Sequence, residues 1–173
     1  MLGPLLFVLY INDLLNVTGD ENEMYLFDDD AKLYRHTMIN YDSELLNLSY
    51  NNIIKWSDTW LMKLNESKCK VLTVTRNKNN IKCYSYKKSD GDGTELQHEL
   101  IIKNLGVLID QALTFENYIT ERINGAYRMC GMINRSFYDL DKITFLTLYK
   151  SLVRSLIEYS TSVWAPHSRC LIT

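Results

Sequence analysis

Only two prolines and seven glycines punctuate these 173 residues, and they build no Pro- or Gly-rich linker. Long disordered tracts are excluded by composition. Twelve tyrosines, 46% hydrophobic and 23% charged residues describe a folded chain about one domain long. Histidine is scarce, with His36, His98 and His167 scattered. The four cysteines, Cys69, Cys83, Cys130 and Cys170, contain no Cys-x-x-Cys pair. A zinc motif and a disulfide framework are therefore not expected; reduced packing thiols of an intracellular protein, in cytoplasm or nucleus, are. No stretch reaches the roughly 18 apolar residues of a membrane span, so no membrane partner is expected. The apolar start lacks a preceding Lys or Arg, is interrupted by Asn12-Asp13 and has no small-residue cleavage site after it, unlike a secretory signal. Low-complexity segments and fixed-period repeats are also missing.

No single charge sign dominates: 19 Lys/Arg stand against 21 Asp/Glu, a net charge of −2. The distribution is uneven. Residues 1–62 hold three basic and ten acidic residues, and residues 63–88 hold eight basic and one acidic. Residues 89–115 return to one basic against five acidic, and 116–173 carry seven against five. One concentrated basic stretch in a near-neutral chain fits a protein that meets a polyanion on one surface.

What is present in excess is local. Residues 24 to 34 read Met-Tyr-Leu-Phe-Asp-Asp-Asp-Ala-Lys-Leu-Tyr, three consecutive carboxylates between the β-type runs Met24–Phe27 and Ala31–Tyr34. This predicts a hairpin with Asp28, Asp29 and Asp30 at its tip. Three like charges repel, and hard divalent cations such as Mg²⁺ relieve the repulsion through carboxylate oxygens. A solvated acidic turn fits these residues equally well, because Asp is a common turn residue.

Around the hairpin the periodicity predicts a largely buried helix after Gly3-Pro4, carrying Leu5, Leu6, Val8, Leu9, Ile11 and Leu15. A second helix runs over about 42–62, capped by Asp42 or Ser43, with Leu45, Leu46, Ile53, Trp56 and Trp60 as its apolar stripe. Strands are predicted over 69–75, 81–86, 95–98 and 103–109, with a flexible loop at 89–93. That loop has a calcium-loop composition, but Ile101 stands where a bidentate Glu should close it. Two helices follow. The one at about 116–137 places Ile119, Ile123, Ala126, Cys130 and Ile133 inward and Arg122, Arg128 and Arg135 outward. The one at about 141–163 carries Leu148, Leu152, Leu156 and Tyr159 as a stripe. The fold class expected is α+β, an antiparallel sheet with packed helices, then a helical appendage.

Several segments in fixed order resemble the reverse transcriptases of non-LTR, LINE-type retrotransposons, especially the jockey-like group. Gly3-Pro4-Leu5-Leu6-Phe7 with Tyr10-Ile11-Asn12-Asp13-Leu14 is one, and Phe27-Asp28-Asp29-Asp30 with Lys32-Leu33-Tyr34 another. Trp56-Ser57-Asp58-Thr59-Trp60, Asn65-Glu66-Ser67-Lys68-Cys69, Lys103–Asp110 and Leu148–Pro166 complete the set, so the resemblance covers nearly the whole chain.

This resemblance implies part of a polymerase palm over 1–110 and a helical thumb over 111–173, acting on an RNA template, a DNA primer and deoxynucleoside triphosphates. Asp29 and Asp30 match the paired catalytic aspartates, the metal ligands of two-ion nucleotidyl transfer, with Mg²⁺ or alternatively Mn²⁺. Lys68 matches a lysine near the incoming phosphates, a candidate general acid for pyrophosphate. Gly3, Pro4 and Leu5 match the motif under the templating pair, with Phe27 beside the catalytic pair as a further template or nucleotide contact. Leu105 and Gly106 match the strand pair that braces the primer end, the primer grip. The basic stretch, including Lys70, Arg76 and Lys78, fits backbone contact, as do Arg122 and Arg128 from the thumb.

Two departures bear on activity. The family's third aspartate lies on a strand before the Gly-Pro-Leu-Leu-Phe segment, at which this sequence begins, so the chain alone is expected not to extend a primer. Asp28 stands where the family has Ala, an additional carboxylate that competes for metal and hints at relaxed selection on catalysis. The alternatives are a non-catalytic nucleic-acid-binding or interaction remnant of that domain, and a small metal-binding domain of unrelated ancestry.

Overall fold

The computed structural model describes residues 2–19, 22–75, 85–87 and 93–165, and its mixture of helices and small sheets is of the α+β class. It divides into two compact units, Met1–Val71 with Asn79–His98, and Leu72–Lys78 with Glu99–Thr173.

In the first unit, helix α1 (Leu2–Ile11) tightens at Asn12 into a 3₁₀ segment, Asn12–Val17. Strands β1 (Glu23–Phe27) and β2 (Asp30–Tyr34) form an antiparallel hairpin, followed by helix α2 (Asn40–Thr59). Strand β3 (Lys70–Val71) follows. Beyond it, β4 (Ser85–Lys87) pairs antiparallel with β5 (Gly93–Glu95), while β6 (Gln97–His98) pairs parallel with β3. The core has Leu14, Ile53 and Trp56 at its centre. Ile11, Val17, Met62 and Leu64 close around it with the hairpin's inner face, Met24, Leu26 and Leu33. Ile53 and Trp56 lie three residues apart on one face of α2. Burying side chains of this size contributes about 1.5–3 kcal/mol each.

A polar chain beside this core fastens both ends of the hairpin to α2. The Ser49 hydroxyl donates to the Thr18 carbonyl at 3.0 Å, and Asn22 Nδ2 donates to Ser49 Oγ at 2.5 Å. Arg35 donates from Nη1 to Asn22 Oδ1 at 3.2 Å and from Nη2 to Asp42 Oδ1 at 2.9 Å. Asn22 precedes β1 and Arg35 follows β2, so the chain of contacts spans the hairpin's base. The other Asp42 oxygen accepts the amides of Met38 and Ile39 at 2.8 and 2.9 Å, an acid in the first turn reaching back to cap its own helix. These amide bonds, with Ile39 foremost, and the Arg35 guanidinium hold the Asp42 pKa down from 3.8 to about 2.

In the second unit, β7 (Ile101–Asn104) and β8 (Val107–Asp110) form a hairpin that turns at Leu105-Gly106. Helix α3 (Glu116–Ser136) follows a loop organised by Asp110. Its carboxylate accepts the amides of Phe115, Ala112 and Thr114 at 2.6, 3.0 and 3.0 Å. Burial opposes ionisation of Asp110, but the amides of Thr114, Phe115 and Ala112 outweigh it and keep its pKa below the ordinary value. Helix α4 (Lys142–Leu148) is capped by Asp141 and runs through a π-helical segment, Tyr149–Arg154, into α5 (Ser155–Glu158). Helix α6 (Thr161–Trp164) ends the described chain. One cluster gathers Val107, Tyr118, Ile119 and Trp164, and another Ala126, Ile133 and Val153.

Five sequence expectations change. The predicted antiparallel sheet is, among the described residues, four separate two-stranded pairs, one of them parallel. The strand expected over 69–75 is limited to Lys70–Val71, and the one over 103–109 is broken by the Leu105-Gly106 turn. The stripe Leu148, Leu152, Leu156 and Tyr159 keeps Leu148 against the core and is re-phased beyond it, because the wider π turns advance the helix. Val153 is buried and Leu152 exposed, with Tyr149 and Ile157 packed on α3. Helix α1 buries none of its residues, although every face is apolar; Leu5 is 59% and Leu9 68% exposed. Most of the strand expected over 81–86, and most of the loop at 89–93, lie outside the described residues.

Two outcomes are expected. A carboxylate whose folded pKa lies below its unfolded value stabilises the fold above the unfolded value and loses that contribution as pH falls through the folded one. Asp42 therefore contributes fully above 3.8 and fades towards 2. Urea unfolding should show a larger loss of stability between about pH 6 and about pH 2.5 in the wild type than in Asp42→Asn, and equal losses would contradict this. A helix apolar all round is stable in water only with a partner. Sedimentation should reveal concentration-dependent self-association that Leu5→Lys with Leu9→Lys reduces; a monodisperse, cooperatively melting wild-type monomer would count against it.

Candidate functional site

The acidic loop is tighter than the sequence suggests. Phe27 pairs with Asp30, so only Asp28 and Asp29 form the loop and Asp30 opens β2. Cross-strand partners share a face. Met24, Leu26 and Leu33 face the core, while Phe27 and Asp30 share the outer face with Tyr25, Lys32, Glu23 and Tyr34. On that face Tyr25 donates to Glu23 Oε2 at 2.5 Å. Asp28, Asp29 and Asp30 are all exposed, and Phe27 is 59% exposed.

Asp28 has a φ of 53°, in the left-handed region. Among residues with a Cβ, Asp and Asn tolerate this conformation best and Ala poorly. Asp at this position thus has a conformational reason, independent of metal binding.

Asp29 in the loop and Asp30 at the strand start are consecutive exposed carboxylates at the tip of a hairpin whose base is hydrogen-bonded to α2. Mg²⁺ is commonly bound by one or two carboxylates, with substrate phosphates and water completing its shell. The pair fits that requirement as part of a site. Among the described residues no group of three or more His, Cys, Asp or Glu side chains is arranged to hold a metal ion.

The remaining sequence-predicted residues fall in both units. Gly3, Pro4 and Leu5 lie exposed on α1, whose Tyr10 donates to the Trp60 carbonyl and meets the Trp60 ring edge-on, centroids 5.2 Å apart. Lys68 is exposed at the end of a 3₁₀ turn, its amide bonded to the Asn65 carbonyl at 3.0 Å, and exposed Lys70 opens β3. These share the first unit with the acidic hairpin. Arg76 and Lys78 lie outside the described residues. Leu105, Gly106, Arg122 and Arg128 belong to the second unit. Leu105 and Gly106, with φ of 46° and 82°, have the two positive values of a type I′ hairpin turn.

Arg128 is exposed, but Arg122 is not the outward cation that helical periodicity suggests. Its guanidinium carbon lies 4.8 Å from the Tyr118 ring centroid and 5.1 Å from that of Tyr159, and Nη2 donates to the Gly106 carbonyl at 3.0 Å. Helical spacing alone makes Tyr159 a stripe residue. Its place within Leu148–Pro166, one of the segments that carry the resemblance, was the available signal.

Turn chemistry predicts the effect of substitutions at 28. Asp28→Ala should destabilise the fold by about 1 kcal/mol, while Asp28→Asn, which keeps the turn preference and removes the charge, should be neutral or stabilising. Denaturant unfolding of the two variants reads this; a stabilised Asp28→Ala would mean that charge repulsion governs the loop instead.

Over nearly its whole length the chain is similar to curated polymerases of mobile elements. It is 26% identical over 182 residues to the RNA-directed DNA polymerase from mobile element jockey of Drosophila funebris, covering 98% of the chain and 19% of that protein. It is 23% identical over 175 residues to the polymerase of the same name from Drosophila melanogaster, covering 95% of the chain and 18% of that protein. The chain spans about a fifth of the length of the curated relatives it matches. No family model and no solved structure matches it. The comparisons therefore support a distant relationship to a reverse transcriptase of this kind.

Proposed function

We propose that the chain is palm and thumb sequence of an RNA-directed DNA polymerase of a non-LTR mobile element, with the palm over about 1–110 and the thumb beyond. The observation that carries this reading is the acidic hairpin. Its two-residue loop sets Asp29 and Asp30 next to each other in the open, on a base pinned to α2. The similarity to jockey polymerases along the whole chain supports it.

In this reading Asp29 and Asp30 hold divalent cations, Mg²⁺ or Mn²⁺. Such ions neutralise the triphosphate and polarise the attacking and leaving oxygens of nucleotidyl transfer. The chain's own residues bind and orient. Phe27, in register with Asp30, offers an exposed ring beside the carboxylates for stacking on a base or sugar. Lys68 supplies positive charge, and a proton, towards the leaving pyrophosphate. Gly3, Pro4 and Leu5 lie under the templating pair, and Leu105-Gly106 meets the primer end. Lys70, Arg76, Lys78 and Arg128 contact the phosphate backbone of template and primer. Arg122, whose guanidinium is engaged with Gly106, is reassigned from that set.

A second reading, a nucleic-acid-binding remnant without catalysis, draws on one observation: no third metal-ligating side chain joins Asp29 and Asp30 among the described residues.

Binding to an RNA template with a recessed DNA primer tests both. The affinity should fall steeply with salt, and Arg76→Ala with Lys78→Ala should reduce the slope of log K against log salt by roughly 2, about one per phosphate contact. Addition of Mg²⁺ and the matched deoxynucleoside triphosphate should tighten the complex, and Asp29→Asn with Asp30→Asn should remove only that gain. Salt-independent binding would overturn both readings. Salt-dependent binding indifferent to Mg²⁺ and to the Asp variants would leave only the remnant.

A further inference from the structure

The segment from Tyr159 to Trp164 has no part in the function above, yet it closes on the turn assigned to the primer end. The Tyr159 hydroxyl donates to the Leu105 carbonyl at 2.8 Å, and Arg122 Nη2 donates to the Gly106 carbonyl at 3.0 Å. Both carbonyls of the two-residue turn therefore have donors from outside their own hairpin. Tyr159 is itself fixed through its carbonyl, which accepts from Trp164 Nε1 at 2.7 Å and from the Tyr118 hydroxyl at 3.3 Å. The Arg122 guanidinium lies close to both the Tyr118 and Tyr159 rings, at 4.8 and 5.1 Å. Ser160, at a φ of 56°, breaks the helix immediately after Tyr159 and starts the short return that brings Trp164 back.

The turn needs such support. A two-stranded hairpin is marginal by itself, and Leu105 is a branched residue held at a φ of 46°, which it adopts only when its surroundings impose it. The fit is close: a Cβ on Gly106 would stand 3.4 Å from Tyr159 Cε1 and 3.5 Å from its hydroxyl oxygen. Guanidinium over an aromatic face adds attraction that an ammonium on a flexible stem reproduces poorly.

We propose that Tyr159 and Arg122 are positioning residues: they hold the Leu105-Gly106 turn in the shape in which it meets the primer end of a primer–template. The proposal rests on the polymerase reading of that turn. It assigns the Glu-Tyr-Ser-Thr-Ser-Val-Trp segment a role at a distance, as the clamp of a nucleic-acid contact it does not itself make.

The test uses the full chain and two conservative variants, Tyr159→Phe, which removes one hydroxyl, and Arg122→Lys, which keeps the charge and loses the planar fork. Two measurements are paired: hydrogen exchange of residues 101–110, and the preference for a recessed 3′ primer end over a blunt RNA–DNA hybrid of equal length. Tyr159→Phe should speed exchange in 101–110 and reduce the recessed-end preference by about fivefold each, the worth of one neutral hydrogen bond. Blunt-hybrid affinity should stay at the wild-type value, and Arg122→Lys should move the same two readouts. Unchanged exchange in both variants would overturn the clamp. Faster exchange with undiminished recessed-end preference would overturn its role in positioning while leaving the polymerase reading intact. A wild type that binds recessed and blunt ends alike would instead remove the primer-end reading itself, and the proposal with it.

Discussion

The hydrogen-bonded chain from Thr18 through Ser49, Asn22 and Arg35 to Asp42 is the constraint on which the acidic hairpin depends. A lone two-stranded hairpin does not hold its shape in water. This one carries three carboxylates at its open end, which repel one another. Its inner face, Met24, Leu26 and Leu33, supplies apolar attachment, but apolar contact alone is not directional. The Arg35 fork and the Asn22 amide supply direction, because each fixes one strand end against the first half of α2. Asp42 links two roles: it pairs with Arg35 and caps the helix to which the hairpin is tied.

The second unit solves a similar problem with different chemistry. Its hairpin turn is braced by donors from α3 and from the segment after α5, and its exit loop is gathered by the Asp110 carboxylate. That loop passes through Leu113 and Phe115, both at positive φ, which a branched and an aromatic residue adopt only under external constraint. In both units one buried or half-buried charged side chain organises backbone that local propensity would not. The exposed site residues then sit on segments whose shape is determined elsewhere.

What was legible in the sequence follows from periodicity and turn chemistry. The hairpin at 24–34, α2 and α3 were readable because alternation and 3.6-residue spacing were strong there, and α3 differs from its expected end by one residue. The placement of Asp30 in β2 was not readable, because three identical residues give no signal for where a loop ends. The π segment at Tyr149–Arg154 escaped for a related reason. A period of 3.6 fits Leu148, Leu152 and Leu156 well, and only packing against α3 selects Val153 over Leu152. Arg122 looked like a surface cation because helical spacing carries no information about which cations turn back onto aromatic rings. Ordered motif similarity reached further than pattern, since it singles out Gly106 and the Tyr159 segment, which meet in the structure. The apolar character of α1 was clear from composition.

The central claim is that Asp29 and Asp30 form a divalent-cation site that serves nucleic-acid chemistry. Replacing Mg²⁺ with Fe²⁺ and a reductant, in the presence of primer–template and deoxynucleoside triphosphate, and mapping the resulting backbone cuts by mass spectrometry tests it directly. The account predicts cuts concentrated around residues 27–31, suppressed by excess Mg²⁺ and lost in Asp29→Asn with Asp30→Asn. Cuts that spare the hairpin, or a pattern unchanged in that double variant, would contradict it.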